Sequence, residues 1–599
     1  MSSCVLMFAA ALLSAAPPAE ASLPASLDLE TIRALVVQHD GRWPPLDTAA
    51  RDIVETVTGD AFYNGHDPVV WLLAWTFDLR TWAAAPLIGI HNAEVRAELE
   101  LPPDRRVFSY QELIGHQKLR SLIDALAERP PGSKPDPLES KVAEIRDKLL
   151  LLQRVFRGET IKPIPNPDRA GGAWSAIPPP GMDGSPASPD AVPTAWAELR
   201  TAFLADDAVA FQTASRQLIQ ALAALPAAHR PVPRLIATEL HYNKFDPFRK
   251  AWILMVVGTV LAACALLIER KRFDGLVLLV LTAGFALVTY GLGLRWQIAG
   301  RVPASNMYES LLFLGWGTGA FAILSMFVIR HRMVPLTASA MGALALMLAD
   351  VLPMNHHIRP IMPVLLDTIW MSIHVPIIMV SYSVFALAVL VAHVQLVLMA
   401  AAPGRRRLAA SIDSVHYWYL HVGAILLTAG IITGSIWAAS SWGRYWGWDP
   451  KEVWSLIALL GYLAILHVRL DHQRIPWWGY VLGTLLAILL LVIVVPRLAP
   501  ITGVKILALV GTVLAMAFFV VARGRFATAV KSIVAFWLIV MTYLGVNYVL
   551  GIGLHSYGFG TGAMARYMLW AGGIDLALVV LCGVTYVLRR QLRFAELPA

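Results

Sequence analysis

Residues 373–400 read IHVPIIMVSYSVFALAVLVAHVQLVLMA, a run without a single Asp, Glu, Lys or Arg. About 20 apolar residues suffice for a helix to cross a bilayer core, so this run predicts a membrane-spanning helix. Working outward, comparable runs lie at about 251–268, 275–294, 309–329, 334–352, 418–438, 454–468, 477–495, 502–522, 532–551 and 567–588, giving eleven expected spans. The run at 334–352 carries Pro335, and the one at 454–468 is short enough to need its flanks. Composition agrees: 57% of the 599 residues are hydrophobic and 15% charged, whereas soluble domains carry about 25% charged residues. The expected fold class is an all-α polytopic membrane protein with about 11 transmembrane helices, preceded by a mostly helical extracytoplasmic domain.

That preceding region has a different character. Residues 1–21 join an apolar stretch, Val5 to Leu13, to Ala19-Glu20-Ala21 before Ser22, the pattern of a cleavable secretory signal peptide. Residues 22–248 are mixed in polarity, with Val142, Ile145, Leu149, Leu152 and Phe156 at helical spacing. Inside this expected domain, 161–193 is rich in Pro, Gly, Ser and Ala and reads as a surface linker. Residues 249–599 form the membrane domain.

Charge sets an expected topology. With the N-terminal domain outside, the inner loops carry sixteen Lys and Arg residues (Arg405, Arg406 and Arg407 among them) and the outer loops carry seven. The positive-inside rule and the signal peptide therefore agree on an extracytoplasmic N-terminal domain. The same distribution explains the net charge of +8 without nucleic acid. Cys4, Cys264 and Cys582 are far apart in apolar runs, which excludes a disulfide framework and a CxxC site. There is no P-loop, so this chain does not itself use nucleotide.

The densest chemical feature is 437–454, WAASSWGRYWGWDPKEVW, with five tryptophans in eighteen residues. Gly443 and Gly447 leave flat space between the rings, so a platform for a large planar ligand and an interfacial aromatic belt are both open readings. His374 falls at the outer end of the fifth span, and His555 just outside the tenth. Two neutral imidazoles over an aromatic floor are what haem iron accepts as axial ligands, although each histidine alone also fits an interfacial hydrogen-bonding role. His467 falls near the inner end of the seventh span, where ionisable groups are costly and usually functional. His393 and His421 read as packing or helix-bonded residues, with an inner ligand role as the alternative, and Asn306 with Glu309 as a helix cap or a buried polar contact. His66, His91 and His116 lack metal spacing.

The segment Trp442-Gly-Arg-Tyr-Trp446-Gly-Trp448-Asp449-Pro-Lys-Glu-Val-Trp454 resembles the tryptophan-rich signature of haem-handling proteins in cytochrome c maturation. Gly300-Arg-Val-Pro-Ala-Ser-Asn306-Met-Tyr-Glu309-Ser, the His374 segment, and Gly545-Val-Asn547 through Leu554-His555-Ser-Tyr557 resemble the CcsA (ResC) branch. The resemblance covers about residues 240–588. Gly41-Arg42-Trp-Pro44-Pro-Leu46-Asp-Thr48-Ala is similar to the extracytoplasmic region of fused CcsB–CcsA proteins.

The resemblance implies that His374 and His555 are external axial ligands of haem b, and that His467 holds haem within the membrane. It also implies that Trp442, Trp446 and Trp448 cover the porphyrin; charge and proximity, apart from the resemblance, offer Arg444 or Lys451 for a propionate, and Asp449 touches ligand or fixes a turn. Two departures accompany it. The spans that would supply a second inner histidine are missing before residue 250, which implies a CcsB/ResB-like membrane partner, and 477–495 with 502–522 form an extra pair.

Apocytochrome c and thiol-reducing proteins complete the implied partners, and a bacterial cytoplasmic (inner) membrane with the haem site facing the periplasm is the implied location. No residue reads as an acid–base catalyst, so the implied activity is that of a component of a holocytochrome c synthetase complex. A CcmC/CcmF-type haem delivery protein, a solute transporter and a scaffold are the competing readings.

Overall fold

The computed structural model describes residues 22–129, 136–177, 191–268, 271–352, 354–360, 369–470, 522–550 and 562–595. The expected signal peptide 1–21, the span at 477–495, all but the last residue of the span at 502–522, and His555 lie outside the described residues. The chain forms two compact units, one holding residues up to Phe245 with Gln297–Gly300 and His357–Pro360, the other holding the rest. Among the described residues the sole sheet is a two-stranded antiparallel pair, Pro86–Gly89 with Val107–Ser109.

The helices of the first unit include α1 (Leu46–Thr58), α2 (Pro68–Phe77), α3 (Pro137–Phe156), α4 (Ala191–Leu204) and α5 (Ala208–Ala224). Each begins where its sequence permits. Asp67 accepts from the Val69 N–H with Pro68 at the first helical position, and Asp136 with Glu139 forms a reciprocal capping box before α3. The stripe Val142, Ile145, Leu149, Leu152 and Phe156 is buried and faces one core with Trp71, Trp75 and Trp82. Residues 39–42 form a tight hairpin whose Asp40 and Gly41 both have positive φ (45° and 72°), the geometry of a two-residue turn. Beyond it Arg42 pairs with Glu239 at 2.8 Å.

The described part of 161–193 corrects the linker reading. Ile161 and Ile177 are buried in the core, and Ile164 pairs with Ser175 in an antiparallel bridge. Apolar anchors among the prolines pin residues 161–177 as a packed loop. Residues 178–190 lie outside the described residues.

In the second unit the helices are α6 (Pro247–Ile268), α7 (Lys271–Ala299), α8 (Met307–Val328), α9 (Met333–Val351), α10 (Ile369–Ala401), α11 (Arg406–Trp442), α12 (Pro450–Leu470), α13 (Arg525–Val540) and α14 (Gly562–Ala595). A π-helical stretch, Met541–Leu550, continues α13. Among the described residues nine helices are long and apolar enough to cross a membrane, and they coincide with the nine expected spans that fall there. Pro335 is accommodated because it is the third residue of α9, where the backbone N–H has no intrahelical partner to lose. The short run at 454–468 gains its length by starting at Pro450. The 28-residue run that opened the reading becomes α10, which packs against α8, α9, α11, α13 and α14 and is the axis of the unit.

Asp52 on α1 generates a prediction about acid stability. It is 5% exposed and meets His39 Nε2 at 2.8 Å, Arg359 Nη2 at 3.2 Å and His357 Nε2 at 3.3 Å, all within the first unit. Burial alone would raise its carboxyl, but these three partners outweigh burial and hold it well below the usual carboxylate range. A group depressed in the folded state contributes stability that is present above its unfolded value and lost as pH falls through the folded one. Acid unfolding followed by tryptophan fluorescence is therefore expected to show stability falling once pH drops below about 4. Asp52→Asn is expected to cost roughly 2 kcal/mol at pH 7 and to flatten that acid slope.

Candidate ligand-binding site

A cavity of about 270 Å³ opens in the second unit, walled by α8, α10, α11, the start of α12 and the π-helical stretch. His374 lines it from the first turns of α10. Its Nδ1 donates to the Gly430 carbonyl at 2.8 Å; a carbonyl can only accept, so the proton sits on Nδ1 and Nε2 is the nitrogen carrying the lone pair. The ring stacks on Trp437 with centroids 6.1 Å apart and planes 17° apart. Only glycine allows this fit: a Cβ at Gly434 would come within 2.6 Å of His374 Cε1, and one at Gly430 within 2.3 Å of Ile378 Cδ1.

The opposite wall is the start of α8. Asn306 caps that helix by accepting from the Glu309 N–H at 2.8 Å. Glu309 is fully buried, pairs with Arg295 Nε at 2.9 Å and Arg301 Nη1 at 3.4 Å, and accepts from the Ser305 N–H at 2.7 Å and Oγ at 2.8 Å. A carboxylate so far from water needs that many donors. Asn306 and Glu309 are thus both cap and buried contact. Ser310, on the next residue, shares a 2.6 Å hydrogen bond with the Tyr543 hydroxyl, which closes the wall from the π-helical stretch.

The tryptophan segment forms the third wall. Helix α11 ends at Trp442 with Gly443 in the left-handed conformation (φ 71°), and α12 restarts at Pro450. Between them Glu452 Oε2 accepts from the Gly447 N–H at 2.7 Å and the Asp449 N–H at 3.1 Å. These bonds clamp both neighbours of Trp448, whose own φ of 57° is uncommon for a residue with a Cβ. Asp449 is buried and accepts from the Lys451 N–H at 3.0 Å, as a capping aspartate does.

The structure brings some of the predicted residues together and separates others. His374, Trp437, Trp446 and Lys451 line the cavity. Trp442 packs on Trp437 (5.0 Å between centroids) and Trp448 on Trp446 (5.9 Å), each one ring removed from the cavity. Asp449 shapes the helix start and Arg444 lies over Gly447, so neither is a lining residue.

His467 is exposed at the far end of α12, about 24 Å along the helix from Lys451, with Nδ1 on the Leu463 carbonyl at 2.8 Å. His393 Nδ1 bonds the Val389 carbonyl and His421 Nδ1 the Tyr417 carbonyl, so both make helix hydrogen bonds. His555 lies outside the described residues. Sequence reasoning missed Tyr543, Ser310 and Tyr382, polar groups inside apolar runs; the one available signal was that such groups in a span are rarely idle.

Among the described residues nine helices are long and apolar enough to span a membrane, and α8, α10, α11, the start of α12 and the π-helical stretch wall a His- and Trp-lined cavity, which defines a polytopic all-α membrane protein with a concave site among its helices. Residues 304–496 match the family described as Cytochrome C assembly protein. CcsA, the cytochrome c biogenesis protein of Synechococcus sp. (strain CC9605), is 31% identical over 342 residues, covering 51% of this chain and 94% of CcsA. CcsA of Synechococcus sp. (strain CC9311) is 32% identical over 332 residues, covering 49% of this chain and 91% of that protein.

Protein NrfI of Wolinella succinogenes is 27% identical over 486 residues, covering 74% of this chain; the chain spans about half of NrfI, 51% of its length. A solved chain of cytochrome c heme lyase CcmF aligns over 60% of this chain and 62% of its own length at a TM-score of 0.32 and 14% identity, too low for any argument from fold. The chain belongs to the CcsA family of cytochrome c biogenesis proteins.

The glycine seam makes a direct prediction. Gly430→Leu forces α10 and α11 apart and is expected to cost about 1–3 kcal/mol, as overpacking does. Thermal unfolding of the detergent-purified protein measures it, and an exposed-face control on the same helix, Ile432→Leu, should leave the transition unchanged.

Proposed function

We propose that this chain serves cytochrome c biogenesis by holding haem b in the His374 cavity and presenting it for covalent attachment to the CxxCH motif of apocytochrome c. The observation that carries the reading is His374 itself. Its proton is committed to the Gly430 carbonyl, which gives the tautomer of imidazole that binds iron through Nε2, and the ring lines a cavity whose other walls combine aromatic and aliphatic side chains with polar ones. Trp437 and Trp446 supply flat apolar surface, with Trp442 and Trp448 packed behind them.

In this reading His555 is the second external ligand, and His467 receives haem at the other end of α12, where a CcsB-like partner supplies the opposing histidine. The excess of cations in the expected inner loops supports a cavity at the periplasmic face of the inner membrane.

Attachment needs no acid–base residue from this chain. Each thiol adds across a haem vinyl group: the S–C bond forms, the S–H bond breaks and the proton passes to the neighbouring vinyl carbon, with no net oxidation. Holding the vinyl groups and thiols in register then supplies most of the acceleration. Thiol-reducing partners keep the peptide cysteines available.

The test is the absorption spectrum of the detergent-purified chain, oxidised and reduced, with and without a co-expressed CcsB-like partner. Wild-type protein is expected to show a bis-imidazole haem spectrum that His374→Ala and His555→Ala each alter or abolish, while His467→Ala lowers the haem content. Folded protein that stays colourless beside its partner overturns the proposal in favour of a transporter or scaffold.

A further inference from the structure

Lys451 occupies a position in the cavity that metal ligation and aromatic packing leave unexplained. Among the described residues that line the cavity it is the only lysine or arginine, and Glu452 the only carboxylate. Glu452 is committed to the loop, since one of its oxygens accepts from both the Gly447 and Asp449 N–H groups. The Lys451 backbone is likewise fixed, its N–H bonded to Asp449 Oδ1 at the helix start, so the side chain leaves from a rigid point. Its Nζ lies 5.6 Å from the centroid of the Tyr543 ring, and Tyr543 is itself held by Ser310. Asp449 is the charged neighbour acting on this ammonium within the wall.

The alternative cation, Arg444, is turned away over Gly447, where a Cβ would come within 2.2 Å of its Cζ. A cavity that places a metal-binding imidazole, flat aromatic walls and one ammonium around the same space matches a ligand with a metal centre, a planar apolar body and an anionic substituent.

We infer that Lys451 is the anion-recognition residue of this cavity, binding a carboxylate substituent of the planar ligand that His374 ligates. The inference rests on the haem reading above and decides between the two cations that the sequence offers for a propionate: it is held by Lys451, at the start of α12. An ammonium paired with a carboxylate out of bulk water makes a charge-assisted bond, and its loss is felt only by ligands that carry the charge. Two contacts on one rigid body, iron at His374 and carboxylate at Lys451, also fix how the macrocycle is rotated in its own plane. That rotation decides where its vinyl edge points.

The experiment titrates haemin and haemin dimethyl ester, in which both propionates are neutral, into the detergent-purified full chain freed of haem, wild type and variants. Lys451→Met is expected to weaken haemin binding about tenfold or more, the loss typical of a charged hydrogen bond. The dimethyl ester is expected to bind wild type and Lys451→Met alike, and Lys451→Arg to retain most of the haemin affinity. The absorption bands of bound haemin should be unchanged in Lys451→Met, because His374 is untouched.

Equal weakening for haemin and its ester would make Lys451 a structural residue and overturn the inference, as would unchanged haemin affinity. Bands that do not respond to His374→Ala would sink the ligation reading by itself, and the comparison of acid with ester would still decide Lys451. Wild-type protein that binds neither compound would overturn both.

Discussion

The close approach of α10 and α11 is the constraint on which the second unit depends. Gly423, Gly430 and Gly434 lie along one face of α11, and at each a methyl group would collide with Phe385, Ile378 or His374 of α10. In an apolar solvent there is little hydrophobic drive to pair helices, so association relies on shape, and small residues let backbones come close enough for dispersion and hydrogen bonding to matter. The approach also brings the Gly430 carbonyl within 2.8 Å of His374 Nδ1. One seam therefore packs the unit, orients the imidazole and sets its tautomer.

Two carboxylates organise the remaining walls by the same logic. Glu309 and Glu452 sit where an unsatisfied charge would be expensive, and each is satisfied by donors that belong to the wall it shapes. Glu309 gathers Arg295, Arg301 and Ser305 around the start of α8. Glu452 gathers two backbone N–H groups around Trp448 and lets that residue keep a left-handed backbone. Strained loop geometry persists only where surrounding bonds over-determine it. The tryptophan segment is accordingly a shaped wall with two layers of rings. Trp437 and Trp446 line the cavity, and Trp442 and Trp448 buttress them.

The nine described spanning helices were legible in the sequence because apolar length is a sufficient signal for a span, and the caps at Asn306 and Asp449 were legible because those residue types stop and start helices locally. His374 was legible as an outlier at the end of an apolar run. What escaped depended on contacts between segments far apart in the chain. Nothing local distinguishes Arg295 and Arg301 from ordinary loop cations, yet Glu309 draws both into the protein. Tyr543 lines the cavity from a stretch of π geometry at Met541–Leu550, a departure that the apolar pattern does not encode. The linker reading of 161–193 failed at Ile161 and Ile177 for a related reason. Composition reports what breaks a helix and is silent on which apolar residues a neighbouring core will capture.

The contrast between the two ends of α12 bears on how the proposed cargo would travel. At the Lys451 end the helix start is half-buried and lines the cavity, whereas His467, four turns on, is exposed. Between them Tyr462 is fully buried and stacks on Phe385 of α10 at 3.6 Å, with planes only 11° apart. A filled, stacked core at that depth closes the direct line between α10 and α12 to anything the size of a macrocycle.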